Sequence, residues 1–330
     1  MRLVAINCLS KGVQQVTLLE TKDDNASSYC APPSVTIVLL TYNGASTLPE
    51  VLSAIHSQRT AHQVSILAID SGSTDGTSEI LRSRGAEVHT ISRRQFGHGR
   101  TRQLACKLAR SPFLVYLVQD AIPRDQLWLN QLLRNFEDAY VAAVCSRVLP
   151  PPDANPLKRR EVENDLQGSE RRVEAHISNW MEYERMSPDQ RRVFCSFHDI
   201  SAAYRRAVLL KHPFPDVPFG EDFLIARALL EAGYKVVFEP LSVVYHTHPY
   251  RILPTYRRNR LDGWFNIAHL GRRTVPSVTR ALWNTCHLVR EDWRYMQKEG
   301  LPFRKRLIWI LYSPIIHMAE QLGQYLGGRR

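Results

Sequence analysis

Lysine is scarce in this chain, with 8 residues against 35 arginines in a 330-residue sequence of formal net charge +11. The arginines fall in dispersed pairs, such as Arg93-Arg94, Arg159-Arg160, Arg191-Arg192 and Arg257-Arg258, with no single basic tract. Guanidinium groups bind phosphate oxygens bidentately, so phosphorylated ligands or anionic lipid fit this excess, as does a plain solvated surface. No RNP, zinc-finger or basic-zipper pattern is present, and no nucleic-acid partner is expected. No apolar run reaches the roughly 18 residues of a conventional membrane span. The opening "MRLVAINCLSKG" carries too short an apolar stretch, broken by Asn7, to read as a secretion signal. The six cysteines (Cys8, Cys30, Cys106, Cys145, Cys195, Cys286) lack CxxC spacing. They suit free thiols in a reducing cytosol better than a disulfide framework or a zinc site.

What is present begins with a hydrophobic content of 44%, the level of a globular chain. "SVTIVLLTYN" is a continuous apolar run rich in β-branched residues and halted by Asn43-Gly44, which predicts a buried strand. "TLPEVLSAIHSQ" repeats apolar residues at helical spacing, and "VSILAIDSGSTDGT" is a second buried strand running into a polar, glycine-rich turn. A helix stopped by Gly85, a third strand "AEVHTIS", the loop "RRQFGHG", the helix "RTRQLACKLAR" and a fourth strand "FLVYLVQDA" follow. Alternation at this spacing predicts a doubly wound, mostly parallel α/β sheet with ligands at the carboxyl ends of its strands. "LPPPDANP" marks a boundary. The expected organisation is an N-terminal extension over 1–33, a nucleotide-binding half over 34–150, an acceptor half over 151–250 and a helical C-terminal region over 251–330.

The first turn, "TYNGAST", has one glycine where a dinucleotide fold needs GxGxxG, and no GxxxxGK[ST] occurs. Asp70 follows the second strand and Asp120 the fourth. Asp70 could accept a hydrogen bond from a base N–H or a ribose hydroxyl, or merely cap its turn. Asp120 could meet a divalent cation, or be a turn residue before Pro123. In "FGEDFLIARALLEAGYKVVFEP", Glu221 and Asp222 open an apolar helix. They either favour the helix dipole or supply a base. In "VVYHTHPYR", His246 and His248 share one face of an extended segment, so both can serve one site.

In their order and spacing over roughly 34–250, these segments resemble the GT-A inverting glycosyltransferases of family 2. "IDSGSTDGT", "FGHGRTRQ" and "QDAIP" are most similar to bacterial rhamnosyltransferases, which use dTDP-L-rhamnose. The resemblance implies a nucleotide-sugar donor and a bacterial surface glycan or lipid-linked acceptor. It places Thr41 and Asn43 under the nucleotide and Asp70 on the pyrimidine. Arg102 would be near the base or diphosphate, with His98 as its neighbour, and Gly97 and Gly99 would let backbone approach the ligand. Asp120 would be the metal-binding aspartate of a DxD motif holding Mg2+ or Mn2+; the shared face of His246 and His248 offers further donors to that metal or to the diphosphate. Val118 replaces the first aspartate of that motif. Asp222 would be the general base and Glu221 an orienting residue or helix cap. A family 2 transferase using a UDP- or GDP-sugar and a catalytically silent glycan- or lipid-binding relative are the alternatives.

The tail, "FRKRLIWILYSPIIHMAEQLGQYLGGRR", has an uncharged stretch from Leu307 to Ala319 flanked by Arg304, Lys305 and Arg306. It fits either an interfacial helix on anionic lipid at the cytoplasmic face of the inner membrane or a helix packed on the domain.

Overall fold

The computed structural model describes residues 33–165, 168–246 and 251–329. The first half is built as alternation demands: β1 (Val35–Thr41), α1 (Leu48–His56), β2 (Val64–Asp70), α2 (Thr77–Ser83), β3 (Glu87–Thr90), α3 (His98–Leu108) and β4 (Phe113–Val118). β1 lies between β2 and β4, and all pairings in this half are parallel. Successive side chains of β1 enter opposite cores, because strand side chains alternate in direction. Val35, Ile37 and Leu39 pack with Leu48, Val51 and Leu52 of α1, while Val38 joins a second core with Tyr116, Tyr204 and Phe265.

Past β4 the sheet becomes mixed. A two-residue β5 (Ile122–Pro123) and α4 (Trp128–Leu133) lead to β6 (Val141–Leu149). The charged stretch after the proline run supplies α5 (Pro156–Glu163), a short β7 (Val173–Ala175), α6 (Trp180–Arg185) and α7 (Pro188–Phe194). β8 (Ser201–Arg205), α8 (Arg206–Lys211), α9 (Glu221–Glu231) and β9 (Lys235–Tyr245) complete the sheet, in the order β3-β2-β1-β4-β8-β6-β9-β5 with β7 beside β9. β8 runs antiparallel to both β4 and β6. Ser201 consequently faces Leu117, and the start of β8 meets the end of β4 at one edge.

Three long helices follow, α10 (Ile252–Leu270), α11 (Val278–Lys298) and α12 (Phe303–Gly327). The second half of α12 packs on α10 through glycines. A side chain at Gly263 would strike the Gln324 carbonyl, and one at Gly327 the Arg260 carbonyl. Its first half exposes Phe303, Leu307, Ile308, Leu311 and Ile315. The second half of α12 is thus a packed helix, and the first half carries exposed apolar side chains beside Arg304 and Lys305. Among the described residues, no helix is long and apolar enough to cross a membrane. Cys106, Cys145, Cys195 and Cys286 are free thiols.

Candidate active site

A cleft of about 990 Å³ opens where β1 and β4 end, lined there by Tyr42, Ser71, Arg93, His98, Arg102 and Asp120. It continues to Arg192, Arg258 and the C-terminal helices.

The turn after β2 is organised by Asp70, which is 1% exposed. Its Oδ1 accepts from the Thr41 hydroxyl at 3.0 Å and from the Ser73 hydroxyl at 2.5 Å. Its Oδ2 accepts from the Gly72 and Ser73 amides at 3.1 and 2.9 Å. With both oxygens engaged inside the turn, Asp70 shapes the loop that would carry the pyrimidine contact expected of it. Ser71 lines the cleft beside it, and its buried hydroxyl has no partner among the described residues. Asn43, in the left-handed region at φ 46°, also braces this loop, since its Oδ1 accepts from the Thr74 amide at 3.0 Å. Thr41 lines the cleft, and Asn43 is not among the residues lining it. Next to them the Arg93 guanidinium lies 3.7 Å over the Tyr42 ring, and Gln119 holds the Tyr42 backbone at both ends.

The glycines of "FGHG" serve packing. A Cβ at Gly99 would collide with the Pro215 carbonyl, so this position lets α3 seat against the segment before α9. A Cβ at Gly97 would meet only the Arg100 side chain, at 2.7 Å. Neither contact is an approach to the cleft. His98 does line it, and burial together with Arg102 holds its imidazole below the usual value.

Asp120 and His246 are brought together by the pairing of β5 with the end of β9, where Ile122 faces Tyr245. Asp120 Oδ1 and His246 Nε2 are 3.4 Å apart on the cleft wall. One hard oxygen and one imidazole nitrogen fit two positions of a divalent ion whose other ligands are phosphate oxygens. Among the described residues no group of three His, Cys, Asp or Glu is arranged for a metal, and His248 lies outside them.

The start of α9 is set by Gly220, whose φ of 78° and contact with the Phe265 ring exclude a side chain. Glu221 and Asp222 follow in the first turn. Glu221 Oε1 accepts from Arg102 Nη1 at 2.6 Å, and Asp199 Oδ2 lies 3.4 Å from Arg102 Nε. Arg102 is thereby an internal counter-ion as well as a cleft residue. Burial opposes its charge, but Asp199 and Glu221 outweigh it and raise its pKa. Asp222 accepts from the Phe223 amide at 2.8 Å. Arg102 and Asp199 form the cleft wall here, and the half-buried Asp222 does not itself line it. Burial, Glu221 and Asp199 push the Asp222 carboxyl up to about 7, against the pull of Arg102.

Asp199 is the residue that sequence reasoning missed. Asp70 and Asp120 lie at the ends of parallel strands, whereas Asp199 precedes an antiparallel strand that starts at the same edge. The signal was there in "FHDISAAY", a carboxylate immediately before an apolar strand.

At the far end of the cleft, Asp292 on α11 accepts from Arg160 of α5 and from Ser313 and His317 of α12. Burial opposes the charge of His317, but Asp292 and Glu320 raise its pKa to about 9, and this ionic cluster ties α5 to the C-terminal helices.

The family model Glycosyl transferase family 2 matches residues 36–211. An O-antigen chain rhamnosyltransferase of Salmonella typhimurium, RfbN, is 33% identical over 236 residues, covering 70% of this chain and 72% of that protein. A second, WbaN of Salmonella anatum, is 34% identical over 303 residues, covering 89% of each. Among solved structures, a mannosyltransferase from Pyrobaculum calidifontis in complex with GDP-Man and Mn2+ superposes with a TM-score of 0.53 at 19% identity. It covers 87% of this chain and 86% of that one, and shows the shared fold.

Proposed function

Because the chain belongs to glycosyl transferase family 2, we propose that it transfers L-rhamnose from dTDP-L-rhamnose to a hydroxyl of a bacterial surface glycan, with inversion and with Asp222 as base. The sugar is carried by the likeness to two O-antigen rhamnosyltransferases. The observation that carries the mechanism is the carboxylate cluster around Arg102, in which burial, Glu221 and Asp199 push the Asp222 carboxyl up to about 7. A general base is most effective when its pKa lies near the working pH.

In this reading Tyr42 and Arg93 offer a flat face to the thymine, and Ser71 offers its unpartnered hydroxyl. Asp120 and His246 would hold Mg2+ or Mn2+, which when bound neutralises diphosphate charge. The acceptor hydroxyl gives its proton to Asp222 as its oxygen bonds to the anomeric carbon. The bond from that carbon to the diphosphate oxygen breaks on the opposite face, and dTDP departs. Asp222 comes within hydrogen-bond reach of the acceptor in the loaded complex, since such contacts are often incomplete before substrates bind.

Thermal melting with nucleotide sugars tests the donor. At a hundredfold excess over Kd, dTDP-L-rhamnose with Mg2+ should stabilise the fold by about 2.7 kcal/mol, and EDTA should remove most of that gain. A response only to UDP- or GDP-sugars would make this another family 2 transferase. No response to any donor would leave a silent glycan- or lipid-binding relative.

The first half of α12 supports peripheral docking on the cytoplasmic face of the inner membrane. Phe303, Leu307 and Leu311 recur every fourth residue and are 46–66% exposed. Arg304 and Lys305 lie among them, and the first acidic residue of the helix is Glu320. Each basic residue near anionic lipid contributes about 1 kcal/mol. Leu307→Asp with Leu311→Asp should abolish co-sedimentation with anionic liposomes and leave the melting temperature unchanged. Wild-type protein that ignores such liposomes would overturn the docking.

A further inference from the structure

Arg102 is 5% exposed, Asp199 2% and Glu221 8%, so this ionic group is removed from water and each charge in it must be compensated locally. One guanidinium lies among three neighbouring carboxylates and pairs with two of them. Its Nη1 is taken by Glu221 at 2.6 Å, and its Nε edge faces Asp199 at 3.4 Å. Two phenols hold this arrangement in place. Tyr204 donates to Asp199 Oδ1 at 2.6 Å, which orients that carboxylate, and Tyr116 donates to the Arg102 carbonyl at 2.8 Å. Among the described residues Asp222 accepts only a backbone amide, from Phe223, and has no ion-pair partner.

We propose that Asp199 is a positioning residue for the transfer, dividing Arg102 between itself and Glu221 so that Asp222 is left as the carboxylate of the cluster without a cation of its own. The proposal rests on Asp222 being the base. Its chemical sense follows from the base's task. An aspartate fully paired with Arg102 would be ionised but weakly basic, whereas one held beside two like charges keeps its affinity for the acceptor's proton. The groups facing Asp222 are Glu221 on its own helix, Arg102 on α3, Asp199 before β8, the Tyr204 phenol on β8 and the Cys145 thiol on β6. Burial keeps the last two protonated, so neither adds charge at neutral pH. Asp199 is thus the one charge acting on Asp222 from outside α3 and α9.

Asp199→Asn removes that charge while keeping an oxygen for Tyr204. Two measurements are made on it and on the parent enzyme. One is the pH profile of kcat/KM; the other is the titration of the Asp222 side-chain carboxyl by carbon NMR, assigned by its absence in Asp222→Asn. The acid limb of the profile and the carboxyl titration should both move about 1 pH unit lower, with KM for the donor little changed. If Asp199→Asn does not fold, Tyr204→Phe loosens the same carboxylate and should give a smaller shift in the same direction. An Asp222 titration that stays in place in the folded variant overturns the proposal. A fully active Asp222→Asn would overturn the base instead, and the NMR titration would still decide what Asp199 does.

Discussion

Asp222→Asn is expected to lower turnover at least ~100-fold at saturating donor and acceptor, while leaving donor affinity near its original value. Asparagine fills the same space and still accepts from the Phe223 amide, but it cannot take a proton. The folded carboxyl, at about 7, lies above its ordinary 3.8. Between those values the native state keeps a proton that the unfolded chain releases, so rising pH costs stability through this window. The variant should therefore be more stable than the parent above pH 7, by up to about 4 kcal/mol for a shift of this size, and equal to it below pH 4. Loss of turnover with gain of stability is the signature of a residue kept for chemistry. Near-normal turnover would remove Asp222 from the mechanism.

Arg102→Met should have the opposite effect on stability. The side chain keeps its bulk, but Asp199 and Glu221 are left buried without their shared cation, and breaking such a pair typically costs about 3–5 kcal/mol. Without the guanidinium the folded carboxylates hold protons more tightly than the unfolded ones do, so the deficit should be largest at pH 8 and shrink toward pH 5. Denaturant titrations at those two pH values measure it. Equal stability at both would mean that Arg102 is not the counter-ion of this cluster.

The parallel half of the sheet was legible because a strand covered on both faces must be a continuous apolar run, and "SVTIVLL", "VSILAI" and "FLVYLV" are such runs. The pair at 221–222 was legible because two adjacent carboxylates open an apolar helix in a strongly basic chain. Other parts of the site were hidden. Neighbouring residues share almost nothing with the antiparallel seating of β8, which depends on long-range pairing with β4 and β6, and Asp199 went unseen with it. Composition could not show that Asp70 turns inward while Ser71 faces the cleft, because that choice is made by hydroxyls and amides from Thr41, Gly72 and Ser73. Gly99 was visible as a glycine but not as the neighbour of Pro215, a contact between segments 116 residues apart, from 99 to 215.

The transfer itself is tested most directly by incubating the purified protein with dTDP-L-rhamnose and a lipid-linked glycan acceptor, then following dTDP release and the anomeric configuration of the product by NMR. The expected result is one deoxyhexose added per dTDP released, with configuration opposite to that of the donor. Transfer with retained configuration, or transfer from UDP- or GDP-sugars and none from dTDP-L-rhamnose, would contradict it.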